Sequence, residues 1–163
     1  MELELEKPRR DLDKYIEGRF KEALYEAELA LKFLEAGMYR NAAGKAFQAF
    51  KALLAAPAAR HRGTLAARHP GVKTTKGGRR VLYVDWLIAT MPTGQMLEVA
   101  RDLAAAEGGL IHYANTALNL HEFQHNALDK SGVLSRYTRH ASVEDDVRAL
   151  ASYVAERAKS QDS

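Results

Sequence analysis

The spacing of apolar and polar positions predicts a chain built mainly from amphipathic helices. The strongest pattern lies between Leu110 and Leu128, after the Gly108-Gly109 break, where apolar residues and two histidines recur in steps of three and four. Such steps place residues on one face of a helix. We therefore predict a helix whose two imidazoles turn toward the core. The line consists of Ile111, Ala114, Leu118, His121, His125 and Leu128.

The same periodicity predicts four further long or medium helices and one short helix. The first is expected from an N-cap at Asp13 to Ala36, with Gly37 just beyond its end. The second is expected from about Tyr39 to residue 56, where Pro57 should stop it. Two more are predicted over residues 81–91 and 95–107. The last is predicted after a Ser142 and Asp145 capping box, with Val143, Val147, Leu150 and Val154 on its apolar face.

Residues 58–80 form the least regular segment of the sequence. Pro70-Gly71 and Gly77-Gly78 are turn signals, and the apolar and β-branched residues on either side of residues 76–78 favour a small hairpin. An irregular segment of this length inside a compact domain is usually functional or disordered. We therefore treat it as an insert between the second and third helices.

Short connections between these helices predict an all-α antiparallel bundle of five to six helices. We expect one domain over residues 13–158, a flexible arm over 1–12 and a disordered tail over 159–163. Alanine-rich surfaces and the apolar residues around Trp86 favour packing against a second copy. A homodimer is therefore expected.

Composition narrows the cellular setting and the chemistry. The sequence of 163 residues has no cysteine, which excludes disulfides and thiolate metal sites. The first residues are charged and contain no apolar signal core, and no apolar run reaches the length of a membrane span. We expect a cytoplasmic protein that does not enter a membrane and requires no cofactor.

Charge is distributed unevenly although the net charge is only +3. Residues 36–84 contain no Asp or Glu, so this basic zone suits an anionic partner such as a nucleotide, RNA or the acidic face of another copy. The alternative is a solvated basic surface without a partner. The zone contains Arg40, Lys45, Lys51, Arg60, Arg62, Arg68, Lys73, Lys76, Arg79 and Arg80. As phosphate contacts we predict Arg60, Arg62, Lys73, Lys76, Arg79 and Arg80.

Three stretches of helical pattern stand out: AELALKFLEAGMYRNAAGKAFQAFKALLAA, WLIATMPTGQMLEVARDL and the core Leu120-His121-x-Phe123. Together they resemble archaeal PaREP-type proteins. That family resembles the HEPN domains (higher eukaryotes and prokaryotes nucleotide-binding). The resemblance implies a dimeric helical bundle that binds nucleotide or RNA, cleaves RNA, or acts in a toxin–antitoxin-like pair with a nucleotidyltransferase-type partner. It implies function by analogy only, because one fold hosts many functions.

Ribonucleases of the wider HEPN group use an Arg, four to six residues and then a His. This sequence has Arg136 and His140 with three residues between them, and its formal match, Arg62 to His69, lies in the irregular insert. Under this hypothesis His140 would act as general base and Arg136 would hold a phosphate, with Arg139 adding a contact. The alternative is that Arg136 and Arg139 form surface ion pairs with Glu144, Asp145 and Asp146.

The string His121-Glu122-x-x-His125 supports a different hypothesis. On a helix, this spacing directs two imidazoles toward one zinc ion, and Glu122 could polarise a bound water. Glu144 is the predicted third ligand, with His140 and His112 as substitutes. No sheet edge is predicted to hold a peptide substrate. A zinc hydrolase is thus one alternative, beside a metal site without a reaction and histidines satisfied by hydrogen bonds.

Overall fold

Helices form most of the chain in this computed structural model, which describes residues 10–162. The prediction of an all-α helical bundle is confirmed. The helices of the described part are α1 (Leu12–Glu35), α2 (Tyr39–Arg60), α3 (Arg62–Arg68), α4 (Tyr83–Thr90), α5 (Met96–Leu103), α6 (Leu110–Asn126) and α7 (His140–Lys159). Short 3-10 helices cover Thr93–Gln95 and Ser160–Asp162, and two strands, β1 (Val72–Thr74) and β2 (Arg80–Leu82), form one small antiparallel sheet.

Helix α2 lies at the centre of the bundle. It contacts α1, α6 and α7 extensively, and it also contacts α3, α4 and α5. Almost every residue from Ala42 to Ala59 is buried, because alanines on several sides allow neighbouring helices to approach closely. Phe47, Phe50 and Leu54 fill the spaces between these helices.

Helix α1 begins slightly earlier than predicted and ends as predicted. Asp11, not Asp13, caps it, since the backbone N–H of Lys14 donates to the Asp11 carboxylate at 3.1 Å. At the other end Gly37 adopts φ +74°, and the N–H of Met38 donates to the carbonyl of Phe33 at 2.9 Å. This left-handed glycine reverses the chain into α2.

Pro57 does not stop α2, so that prediction was wrong. The helix continues to Arg60, and the N–H of His61 donates to the Pro57 carbonyl at 2.9 Å. Pro57 removes one donor, but it is buried together with the alanines on both sides of it. Burial of this last turn outweighs the missing hydrogen bond.

The insert is shorter and more ordered than its sequence suggests. Residues 62–68 form a helix, α3, that was not predicted. The hairpin predicted around residues 76–78 is confirmed, with Val72 opposite Leu82 and Thr74 opposite Arg80. Helix α4 therefore begins at Tyr83 instead of 81. The N–H of Tyr83 donates to the carbonyl of Gly71 at 2.9 Å, so the two ends of the hairpin meet at the bundle.

The core face of α6 differs from the predicted face. Its buried residues form a neighbouring line along the helix, while His121 is half-buried and His125 is exposed. The prediction that both imidazoles fill the core was therefore wrong. An entirely apolar line was available beside the histidines, and packing against α2 uses it. It consists of Leu110, Ala114, Ala117, Leu120 and Phe123.

Helix α7 begins at His140 rather than at a capping box. Arg139 is its N-cap residue, without a side-chain hydrogen bond to the helix, and Ser142 lies inside the first turn. The predicted apolar face is confirmed, because Val143, Val147, Leu150 and Val154 are all buried. Helix α5 ends at Leu103, earlier than predicted.

Most of the apolar residues around Trp86 pack inside this chain, whereas Leu82 is exposed. Val84, Leu87 and Ile88 of α4 are buried, so they leave no apolar surface for a second copy. The homodimer therefore stays a prediction, and the apolar residues of α4 no longer support it.

Residues 1–9 of the expected N-terminal arm lie outside the described residues, and Ser160–Asp162 of the expected tail form a 3-10 helix. None of the helices between residues 10 and 162 has the length and apolar character of a membrane span.

Candidate nucleic-acid interface

The hairpin of β1 and β2, residues 72–82, is hereafter called the basic ribbon. Its turn is closed by two backbone hydrogen bonds, from the N–H of Thr75 to the carbonyl of Arg79 at 2.8 Å and from Gly78 to Thr75 at 2.9 Å. Gly78 adopts φ +77°, a conformation that favours glycine. None of the ribbon residues is buried, so the ribbon lies on the surface of the bundle.

Three cations of the basic ribbon have no partner in the described part of the chain. Lys76, Arg79 and Arg80 are exposed, and none of their side chains forms a hydrogen bond, ion pair or ring contact within residues 10–162. The ribbon contains no acidic residue. The next acid along the chain, Asp85, accepts two hydrogen bonds from Arg62 at 2.7 and 3.0 Å. The three positive charges are therefore not neutralised by these residues.

Arg60 and Arg62, also predicted as phosphate contacts, are engaged elsewhere. The hydrogen bonds to Asp85 raise the pKa of Arg62, against the opposing effect of burial. Arg60 donates to the Gln161 side chain at 3.0 Å and lies 3.9 Å from a carboxylate oxygen of Glu107. These two arginines therefore do not add unpaired positive charge to that of the basic ribbon.

Lys73 occupies the inner face of the ribbon, toward the bundle. Its ammonium lies 4.6 Å from the centre of the Trp86 ring, a cation–π contact. The Trp86 ring stacks on Tyr83 at 5.6 Å between centroids, and Tyr83 approaches His69 at 6.2 Å. These aromatic rings support the ribbon from below.

The outer face of the ribbon carries two apolar side chains that the sequence analysis did not single out. Val72 and Leu82 lie opposite each other, and each is 51% exposed. The predicted strand pairing could have identified them, because it places Val72 and Leu82 side by side on one face of the hairpin. Since side chains alternate along a strand, Thr74 and Arg80 lie on the same outer face, nearer the turn.

Arg136 and His140 are held in separate contacts. Arg136 donates to the Asn119 side chain at 2.8 Å and lies 3.7 Å from Glu122, whereas the His140 ring stacks on Tyr39 at 4.2 Å. Within the described chain, no hydrogen bond or ring contact joins Arg136 to His140. The geometry does not assemble the base and phosphate pair that a ribonuclease would need.

The alternative ion pairs for this region are not formed either. Glu144 pairs with Arg148 at 3.1 Å, and the buried hydroxyl of Tyr137 donates to Asp146. Burial, followed by the Asp146 carboxylate, raises the pKa of Tyr137. Arg139 is exposed and has no partner among residues 10–162. Among Arg136, Arg139 and His140, only the Arg139 side chain therefore has no partner within residues 10–162, so it alone is available to a ligand.

Asp129 organises the loop between α6 and α7. Its carboxylate accepts hydrogen bonds from the backbone N–H and the hydroxyl of Ser131, at 3.0 and 2.6 Å, and from the N–H of Leu134 at 2.7 Å. These donors favour the charged carboxylate and lower the pKa of Asp129 to about 2. The loop that carries Arg136 and Arg139 is therefore fixed by an ionised side chain.

We expect the Asp129 carboxylate to titrate at about pH 2, well below an ordinary aspartate. Because the folded-state pKa is lowered, its contribution to stability is complete above the unfolded-state value of about 4. That contribution is lost as the pH falls through the folded pKa. Carbon-detected NMR should show this titration, with Asp129→Asn identifying the resonance. Titration near pH 4 would contradict the hydrogen-bonded loop.

The two histidines of the HExxH string lie next to each other without a third ligand among the described residues. Their rings meet edge to face at 4.7 Å between centroids, and His121 stacks on Phe47 at 4.2 Å. Burial, followed by the charge of His125, lowers the pKa of His121, so its imidazole is neutral near pH 7. The Nδ1 atom of His121 is buried and has no hydrogen-bond partner within the described part of the chain.

A neutral imidazole can bind a metal, but the predicted zinc site is not assembled. Glu144 is paired with Arg148, and the exposed His112 packs edge-on against Tyr113. Over residues 10–162, no group of three or more His, Asp or Glu side chains is placed to hold a metal ion. His121 and His125 are thus two neighbouring histidines on one helix. Without a third ligand in that range, they do not form a three-ligand zinc centre.

A cleft of about 390 Å³ lies between α1, α2 and α6 and was not predicted. Gly44 of α2 forms part of its floor, and a Cβ atom there would lie 2.6 Å from the amide nitrogen of Gln124. Glu26 and Lys45 face each other across it at 3.2 Å. Because these charges neutralise each other, the cleft lacks the net positive charge that an anionic ligand requires.

Comparison with known proteins connects the chain to a family model. The model described as "Archaeal PaREP1/PaREP8 family" matches residues 18–148, which is most of the chain. Neither a curated protein nor a solved structure matches. The matched region includes all of α2 to α6 and the whole basic ribbon.

Proposed function

We propose that this chain, which belongs to the archaeal PaREP1/PaREP8 family, binds the phosphates of a nucleotide or nucleic acid through its basic ribbon. The family description names no reaction, so the proposal depends on the geometry of the site. The observation that carries it is the trio of unpaired cations, Lys76, Arg79 and Arg80, within five consecutive residues. The proposal is one of binding, and it assigns no catalytic step.

Most cations of the basic zone outside the ribbon have partners within the described part of the chain, unlike Lys76, Arg79 and Arg80. Six of its ten cations are engaged inside the chain: Arg40, Lys45, Arg60, Arg62, Arg68 and Lys73. Arg40, for example, donates to the carbonyls of Gln124 and His125 at 2.8 and 2.9 Å and so stabilises the C-terminus of α6. The cations left without a role in folding are concentrated on the ribbon.

Three clustered charges on a projecting hairpin suit a polyanion in particular. Neutralising phosphates releases condensed counterions, so affinity gains from each added contact. An antiparallel ribbon holds its side chains at fixed spacing, which reduces the entropy lost when they meet a ligand. The absence of any acid in the ribbon removes competing attraction.

The test is the variant Lys76→Gln, Arg79→Gln, Arg80→Gln, with a fluorescein-labelled oligouridylate as probe. We expect its affinity to fall more than roughly tenfold at low salt, because phosphate contacts supply most of such binding. The slope of log affinity against log salt should also fall by about one for each phosphate that is no longer neutralised. Fluorescence anisotropy over a series of salt concentrations measures both quantities.

A matched control separates the ribbon from total charge. The variant Lys32→Gln, Arg101→Gln, Lys159→Gln removes an equal number of positive charges from positions on α1, α5 and α7, outside the ribbon. It should bind the oligouridylate almost as well as the native chain. Equal losses in both triple variants would show that net charge, not the ribbon, determines binding, and the proposal would fail.

A further inference from the structure

Val72 and Leu82 form an exposed apolar pair on the same ribbon as the three unpaired cations. Both side chains are half exposed and lie opposite each other, on the same face as Arg80. Leaving apolar side chains in water is unfavourable, and three unpaired cations follow within a few residues. A ligand made only of phosphate would use the cations and would leave this pair without a function.

We infer that the basic ribbon takes an unpaired nucleic-acid strand, whose bases lie against Val72 and Leu82 while its phosphates meet Lys76, Arg79 and Arg80. This inference rests on the proposed function and specifies its ligand. An unpaired strand presents flat, apolar base faces beside its phosphates. A duplex hides those faces in its stack and offers mainly phosphates and the edges of its bases. Only the unpaired strand matches both halves of the ribbon surface.

The layout of the ribbon fits two neighbouring contacts of different chemistry. Val72 and Thr74, like Leu82 and Arg80, are two residues apart, which is about 6.6 Å along a strand. The apolar pair lies at the base of the ribbon and the cations lie toward its turn. A base can therefore rest on the pair while an adjacent phosphate reaches Arg80.

The outer face is the side on which this strand would bind. The inner face is already occupied, because Lys73 covers the Trp86 ring and Val81 is half-buried. A second copy that met this face with its own ribbon is a poorer occupant. Its own Lys76, Arg79 and Arg80 would add positive charge to a surface that has no acid to balance it.

The deciding variant is Val72→Thr, Leu82→Thr, tested against four probes. They are an oligouridylate, the matching oligodeoxythymidylate, an RNA duplex of equal length and inorganic polyphosphate. Threonine keeps a side chain suited to a strand but removes apolar surface. We expect affinity for both single strands to fall about tenfold, because the variant removes apolar surface that a base would cover. Affinity for duplex and polyphosphate should stay within about twofold of the native value.

The chain supplies a matched control in its other exposed Val–Leu pair. Val133 and Leu134 are 78% and 61% exposed in the loop between α6 and α7. The variant Val133→Thr, Leu134→Thr should leave all four affinities unchanged. Trp86 is the sole tryptophan, so its emission reports whether the ribbon still packs against α4 in each variant.

The outcomes separate this inference from the proposed function. If the native chain binds the duplex as tightly as the single strands, or if Val72→Thr, Leu82→Thr leaves single-strand affinity unchanged, the unpaired-strand inference is overturned. A variant whose light scattering reports loss of a dimer, without loss of affinity, assigns the pair to a second copy and also overturns it. If the native chain binds neither polyphosphate nor any strand, the proposed function itself fails.

Discussion

Excision of the basic ribbon is expected to abolish nucleic-acid binding and leave the helical bundle intact. The variant replaces residues 72–82 by a short glycine-serine turn between Gly71 and Tyr83, whose backbone groups already meet at 2.9 Å. No residue of the excised segment is buried, and the core lies between the long helices. The melting temperature, followed by circular dichroism, should fall by no more than about 4 °C. Binding of the oligouridylate should become undetectable.

The protein that lacks residues 72–82 should behave like the charge variant Lys76→Gln, Arg79→Gln, Arg80→Gln in binding assays. Both remove the side chains that we propose to bind phosphate, although only one removes the backbone that carries them. Undiminished binding after excision would move the site to another surface, with Arg136 and Arg139 as the first positions to examine. A collapse of the helical signal would show that the ribbon belongs to the folding core.

Replacement of Phe50 by alanine should cause the largest loss of stability of any change considered for this chain. Phe50 is fully buried in α2, the helix that contacts α1, α6 and α7. The free energy of unfolding should fall by about 3–5 kcal/mol, because apolar burial is reduced and a cavity is left behind. Urea denaturation at constant pH measures this difference.

Phe33→Ala is the matched control for that experiment. Phe33 is the same residue type in α1, but it is only partly buried against the core. Its loss should be roughly 1 kcal/mol, because less apolar surface returns to water. If the two variants lose equal stability, α2 is not the centre on which the bundle depends.

Local pattern predicted the helices because their burial repeats every three to four residues. It failed where tertiary packing decided between two local options. Pro57 would end an isolated helix, yet the surrounding alanines are buried on several sides and the helix continues. In α6, two lines lay side by side, and the fully buried one is the line without histidines, although His121 still stacks on Phe47 of α2.

The candidate site was predicted only in part, because charge is visible in a sequence and its partners are not. Arg62 and Arg79 are the same residue type, but the Arg62 guanidinium binds Asp85, 23 positions away, and the Arg79 guanidinium has no partner within residues 10–162. Arg40 is bound by carbonyls of α6, more than 80 positions away. Which cations are available for a ligand is therefore a property of the fold.

The alanine content of α2 also limits how this protein can change during evolution. Enlarging a side chain in its interior would force neighbouring helices apart, at a cost of about 1–3 kcal/mol. Reducing one to glycine would weaken the helix by about 1 kcal/mol. Positions such as Ala46, Ala49 and Ala56 are thus constrained in both directions. Descendants of this sequence should accumulate their differences on the outer surfaces of α1 and α7 and retain small residues along the central axis.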